Sequence, residues 1–344
     1  VLFRSYGDLH AHMIALPLSV LALGWAISLV MKPNRNIHWE NWLVGAVAIG
    51  VLYPTNSWDY PTYMVIGILA LVYVNIRRHG MTLTMFGRLV VQGLFLFAIT
   101  RLAFQPFWSN FGTAYSSINL WPGSYTPVSD FLVIYGLFLL IIVTWLFADL
   151  RSWAIDLSNQ TLEEAGFWMI PAILIAFSII VLMVIGYLIG YALLPLVATL
   201  IIFSGLLSLR PSISPERRII NVLFASSMGL VLFVEIFVLD GDIGRMNTVF
   251  KFYMQVWIML SIAAGVSLIW VLHHMQRNWN PVTQSAWRAG FAVILALAAL
   301  YPLTATFAKR TVRTGKDIIP LTLDGTEFMQ YVTYEDQGTR SEEH

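Results

Sequence analysis

The segment Tyr6-Gly7-Asp8-Leu9-His10-Ala11-His12 sets a carboxylate and two imidazoles at alternate positions just before an apolar stretch. In extended chain, alternate side chains share one side. Asp8 and His10 therefore read as catalytic candidates, a carboxylate with an adjacent acid/base imidazole, and His12 as a substrate or phosphate contact. A divalent-cation clip is a weaker alternative, since no other His-rich or carboxylate-rich stretch offers the remaining ligands; no metal site is assigned. The bland reading is a helix cap, with Asp8 accepting backbone N–H groups and the histidines at headgroup level. Function is favoured, because such groups beside lipid are costly without partners.

A second motif, Tyr53-Pro54-Thr55-Asn56-Ser57-Trp58-Asp59-Tyr60-Pro61, is a polar loop held between prolines that fix its shape. Asp59 is the only acid between Glu40 and Asp130 and is a candidate base. Asn56 and Trp58 beside it offer an amide and a flat apolar face, suited to a sugar or a prenyl chain. An aromatic-belt turn in which Asp59 caps the next helix competes on equal terms.

The third stretch, Glu235 to Tyr253, holds Glu235, Asp240, Asp242, Arg245 and Lys251 among apolar residues. Glu235 falls near the end of an apolar span, where an ionisable group marks a functional position by default. Arg245 and Lys251 flank the start of the next helix, whose N-terminal amides favour an anion. With Asp240, Asp242 and Asn247 they form a candidate phosphate or pyrophosphate site. An internal salt-bridge network among the same charges is the competitor, and the two are compatible.

What must position these groups is a membrane protein. Of 344 residues, 58% are hydrophobic and 11% charged, against roughly a quarter charged in soluble domains. A water-soluble globule is excluded. The net charge of +1 gives no reason to expect nucleic acid, and the absence of cysteine excludes disulfides, thiolate metal sites and a thiol nucleophile. The 13 Trp and 14 Tyr suit rings placed at two membrane interfaces.

A span needs about 20 apolar residues. Ten stretches qualify, beginning near Met13, Asn41, Pro61, Thr84, Asp130, Gly166, Leu188, Arg218, Val249 and Trp287. The second is short before Pro54 and reads as tilted, broken or partly re-entrant. The fold class is thus all-α, a polytopic transmembrane bundle of about ten spans. Residues 1–12 form a loop, 13–308 the membrane domain and 309–344 the start of a further external region. Val1 to Ser5 and Arg340 to His344 read as non-native, and the chain as a fragment.

With the N-terminus outside, cytoplasmic turns hold 11 basic residues against 4 on the other side, although the basic residues after the last span dissent. All three motifs then fall on the external face. Phe104 to Ser129, uncharged and aromatic, reads as a loop on the membrane surface, and Asp149, Arg151, Trp153, Asp156, Glu163 and Glu164 as an inner interfacial segment of solvated charges.

GDLHAH at Gly7 to His12, PTNSWDYP at Pro54 to Pro61, RMNTVFKFYMQVW at Arg245 to Trp257 and TLDG at Thr322 to Gly325 together resemble the YYY family of bacterial and archaeal polytopic membrane proteins. That resemblance implies remote kinship with the C-type glycosyltransferases (GT-C), which use lipid-phosphate-linked sugars on the external face. It also implies an acidic loop upstream of GDLHAH, which this sequence lacks. The implied reaction transfers a sugar from a polyprenyl-phosphate donor to an acceptor, with Asp8 or Asp59 as base, Asp8 preferred for its neighbouring histidines, and Arg245 and Lys251 on the leaving phosphate. A transporter or lipid flippase, and a non-catalytic membrane subunit, are the alternatives. Membrane lipid is a partner under every reading.

Overall fold

A computed structural model describes residues 11–33, 36–112, 117–158, 177–182, 184–186, 188, 190–210, 213–242 and 244–313. Among the described residues the helices are, in order, α1 (Ala11–Met31), α2 (Trp39–Gly50), α3 (Leu52–Thr55), α4 (Asp59–His79), α5 (Leu83–Ala103), α6 (Gln105–Asn110), α7 (Val128–Ser158), α8 (Phe177–Gly186), α9 (Leu193–Leu209), α10 (Pro215–Ile236), α11 (Met246–Asn278) and α12 (Pro281–Arg313). Two three-residue strands, β1 (Ile118–Leu120) and β2 (Phe237–Leu239), pair antiparallel. Among the described residues seven helices, α1, α4, α5, α7, α10, α11 and α12, are long and apolar enough to cross a membrane. The protein is a polytopic helical bundle.

Of the remaining expected spans, the second is broken as its prolines imply. α2 has 12 residues, about 18 Å of helix against a hydrocarbon core of about 30 Å. The seventh is the 17-residue α9, and the start expected near Gly166 lies outside the described residues. The small sheet is a minor addition to an all-α bundle. Two segments between helices have backbone groups that no helix satisfies, and they satisfy each other.

Local signals fix the helix ends. α4 carries Asp59 in its first turn and Arg77, Arg78 and His79 in its last, matching its dipole, and stops at Gly80, which has φ 63°. Thr82 caps α5 through its side chain and Ser214 caps α10, with Pro215 in the first turn.

Two apolar cores meet in the bundle. One gathers α7, α9, α10 and α11 around Phe224, Tyr135 and Val256; the other gathers α1, α2 and α4 around Trp25, Tyr63 and Leu71 and takes in Leu223 and Met259. α10 and α11 therefore join the halves. In the second core the backbones approach closely: a Cβ on Gly45 of α2 would lie 2.3 Å from the Trp25 ring of α1. Small residues at helix contacts permit this approach.

Each edge of the bundle collects its own residues. At one edge lie the start of α1, the α3–α4 turn, α6, the sheet, the end of α10 and the start of α11. At the other, Arg78 bonds the Pro33 carbonyl, and Arg210 and Arg217 both engage Asp149. Asp149 is 1% exposed. This corrects the expectation of a solvated charge there, because Arg210 at the end of α9 and Arg217 in the first turn of α10 pair with it.

Candidate functional site

The first edge carries every motif residue the structure describes: His12, Asn56, Trp58, Asp59, Glu235, Asp240, Asp242, Arg245, Asn247 and Lys251. Asp8, His10 and the TLDG segment lie outside the described residues. The residues present form two polar centres on nearly opposite sides of α11, since Tyr253 and Gln255, which serve one centre each, are separated by about 200° of helix.

The first centre is built on Asp59. Its carboxylate is 5% exposed and accepts a bond of 2.7 Å from Gln255 Nε2, which also donates to the Trp58 carbonyl at 3.2 Å. The Asn56 amide and the Ser19 hydroxyl also face it. Three carboxylates are buried among the described residues, Asp59, Asp149 and Glu235, and only Asp59 has no basic partner. Its contact is with α11 across the bundle, so the capping alternative for Asp59 is not the geometry observed. Around it the Gln255 Oε1, Asn56 Nδ2 and Tyr63 hydroxyl are buried with no hydrogen-bond partner, an unusual concentration of unsatisfied polar atoms. Asn247, Lys251 and Gln255 recur every fourth residue and share this face of α11. Trp58 packs edge-on against Phe252, with ring centres 6.0 Å apart, and the His12 ring meets Phe250 at 4.3 Å.

The second centre is built on Glu235, which is fully buried at the end of α10. Arg245 pairs with its Oε1 at 2.9 Å, the Thr126 N–H donates to Oε2 at 2.9 Å and the Thr126 hydroxyl donates to Oε1 at 2.5 Å. Arg245 also donates to the Val234 carbonyl at 3.2 Å and to Thr126 Oγ1 at 2.8 Å, and lies 5.4 Å over the Trp121 ring. Its guanidinium is thus committed to an internal network. Tyr191 stacks on Tyr125 at 4.0 Å beside this pair. Burial, reinforced by the Glu235 charge, pushes the Tyr191 phenol above its ordinary pKa and keeps it a donor.

The start of α11 is occupied by the chain's own anion. Asp242, between Gly241 (φ 77°) and Gly244 (φ 63°), accepts from the Asn247 N–H at 3.1 Å and from the Thr248 N–H and hydroxyl at 2.7 Å each. These left-handed glycines turn the loop back under the helix. The amides that could have held a phosphate therefore hold Asp242. Asp240 is exposed and accepts from Asn119 at 3.2 Å.

Sequence reasoning missed Gln255, Thr126 and Ser19. Gln255 left a trace, a lone amide two turns past Asn247 in an apolar helix. Thr126 left none beyond the following proline. Of the aromatic Phe104–Ser129 segment, Trp108 of α6 stacks on Tyr53 at 3.5 Å, with Arg101 over Trp108 at 4.6 Å.

No curated protein and no solved structure matches this chain. A family model described as an uncharacterized membrane protein (DUF2298) matches residues 4–260, a stretch that takes in both polar centres and α11 as far as Leu260. The chain belongs to this family of uncharacterized membrane proteins.

Proposed function

We propose that this protein is a membrane-embedded, GT-C-like glycosyltransferase, moving a sugar from a polyprenyl-phosphate donor to an acceptor hydroxyl at the edge that bears the motifs. The observation that carries this reading is Asp59, a buried carboxylate with no basic partner, cradled by neutral amides and hydroxyls. Its oxygens meet neutral donors and no cation among the described residues. It would accept the hydroxyl proton as the acceptor oxygen bonds to the anomeric carbon. The bond from that carbon to the phosphate oxygen breaks, and its electron pair leaves with the phosphate. Lys251 and Asn247, on the face of α11 that carries Gln255, offer the cationic and polar contacts for that anion. Arg245 serves instead to hold Glu235 and Thr126 in place. The motif edge is assigned to the outside of the cell from the 11 to 4 partition of basic residues.

Transport is the second reading, and the same cradle favours it, because a lone buried carboxylate among oxygens also suits a translocated proton or cation. One experiment separates them. Purified protein in proteoliposomes is given polyprenyl-phosphate-linked sugar and an acceptor glycan, and Asp59→Asn and Lys251→Gln are compared with the parent. Covalent product that both substitutions suppress supports transfer; undiminished product in Asp59→Asn overturns it. Solute flux without any covalent product replaces it with transport.

A further inference from the structure

At the edge opposite the motifs, a cleft of about 320 Å³ opens between α7, α11 and the start of α12, lined by Thr144, Phe147, Ala148, Arg151, His274 and Trp279. Thr144, Ala148 and Arg151 fall at i, i+4 and i+7 of α7, so they share one face. Counted from Val128 at the motif edge, Thr144 and Ala148 stand about 24 and 30 Å along the helix and Arg151 about 35 Å. With a hydrocarbon core of about 30 Å, the first two lie within it and Arg151 stands at headgroup level. The cleft therefore runs from an apolar inner wall to a basic mouth.

Among the described residues no acid is paired with the charge at the mouth. Arg151 is exposed and, among the described residues, makes no ion pair or hydrogen bond. His274 lies close enough to feel the Arg151 charge, and its Nε2 is buried without a hydrogen-bond partner. The nearest acid along the helix, Asp149, points about 200° away from Arg151 and is taken by Arg210 and Arg217. Trp279 supplies the interfacial ring, and Trp287 of α12, bonded to Thr144 Oγ1 at 3.1 Å, fixes the flank of the cleft. We propose that this cleft binds one anionic phospholipid, its phosphate on Arg151 and His274 and its upper acyl chain against Thr144, Phe147 and Ala148. Charge and polarity both run in the direction a lipid needs, and 320 Å³ is the size of a small ligand site. Arg77, Arg78, Arg217, Arg218 and Arg277 fall at the same edge of the bundle, as suits an anionic leaflet.

The inference is independent of the transferase reading. The test is native mass spectrometry of the purified full chain, delipidated and titrated with dioleoylphosphatidylglycerol or dioleoylphosphatidylcholine. The first lipid bound should show about a five- to tenfold preference for the anionic headgroup. Arg151→Gln combined with His274→Gln should bring that preference to parity, whereas Arg288→Gln, on α12 outside the lining, should leave it intact. Trp279→Ala should weaken both lipids together. A preference that survives the double substitution overturns the proposal. Inorganic phosphate that displaces the lipid at millimolar concentration overturns it too, as the site would then belong to free phosphate.

Discussion

Asp59 and Glu235 are both buried carboxylates at one edge of the bundle, yet their surroundings assign them opposite work. Glu235 is locked by Arg245 and Thr126; Asp59 touches only neutral groups. Arg245→Met leaves a buried charge alone, and breaking such a pair costs about 3–5 kcal/mol. Chemical denaturation in detergent should register that loss, with transfer falling only as the folded fraction falls. Asp59→Asn keeps an oxygen for Gln255 and removes an uncompensated charge, so its melting temperature should hold or rise. Its transfer rate should fall about 10²- to 10⁴-fold, the range a general base contributes. Asp59 was legible in the sequence because it stands alone between Glu40 and Asp130. Its partner Gln255 lies 196 residues away, and no local pattern encodes such a contact. For the same reason Asp149 reads as solvated until Arg210 and Arg217 claim it, whereas the Glu235–Arg245 pair lies within one motif and was legible as the salt-bridge alternative.

Elements show the complementary balance. Long apolar runs announced α1, α4, α5, α7, α10 and α11 to within three residues of their observed starts, and α12 six residues late, because lipid demands length and hydrophobicity together. The sheet of β1 and β2 and the Asp242 turn were not announced, since three-residue pairings and a carboxylate reaching back under a helix depend on segments far apart or on glycine φ angles. The cap can be weighed directly. Asp242→Ala frees the Asn247 and Thr248 amides and should cost about 1 kcal/mol, seen as a lower denaturation midpoint with unchanged helicity at low denaturant. Helix packing offers a sharper test at Gly45, where an added Cβ would press on the Trp25 ring at 2.3 Å. Gly45→Ala should lower the melting temperature and Trp25→Leu should lower it as well. The double substitution should recover part of the loss, since the two residues contend for one space.

At the scale of the whole molecule the two edges differ in kind: one gathers the buried Asp59 and Glu235 centres under an aromatic cover, and the other gathers arginines around Asp149 and the α7–α11 cleft. This polarity gives the chain a direction, and both proposals depend on which way it points. The sequence contains no cysteine, so any single introduced thiol reports alone. Ser124 is exposed at the motif edge and Gln276 at the basic edge. In intact cells a membrane-impermeant maleimide should label Ser124→Cys and spare Gln276→Cys, with the second labelled only after lysis. That result would put the acceptor side outside and the lipid cleft in the anionic inner leaflet, where its headgroup selectivity has most to act on. The reverse pattern would seat Asp59 toward the cytoplasm. Transfer at an external face would then be untenable, and the basic cleft would face a leaflet that offers its arginine no excess of anionic lipid.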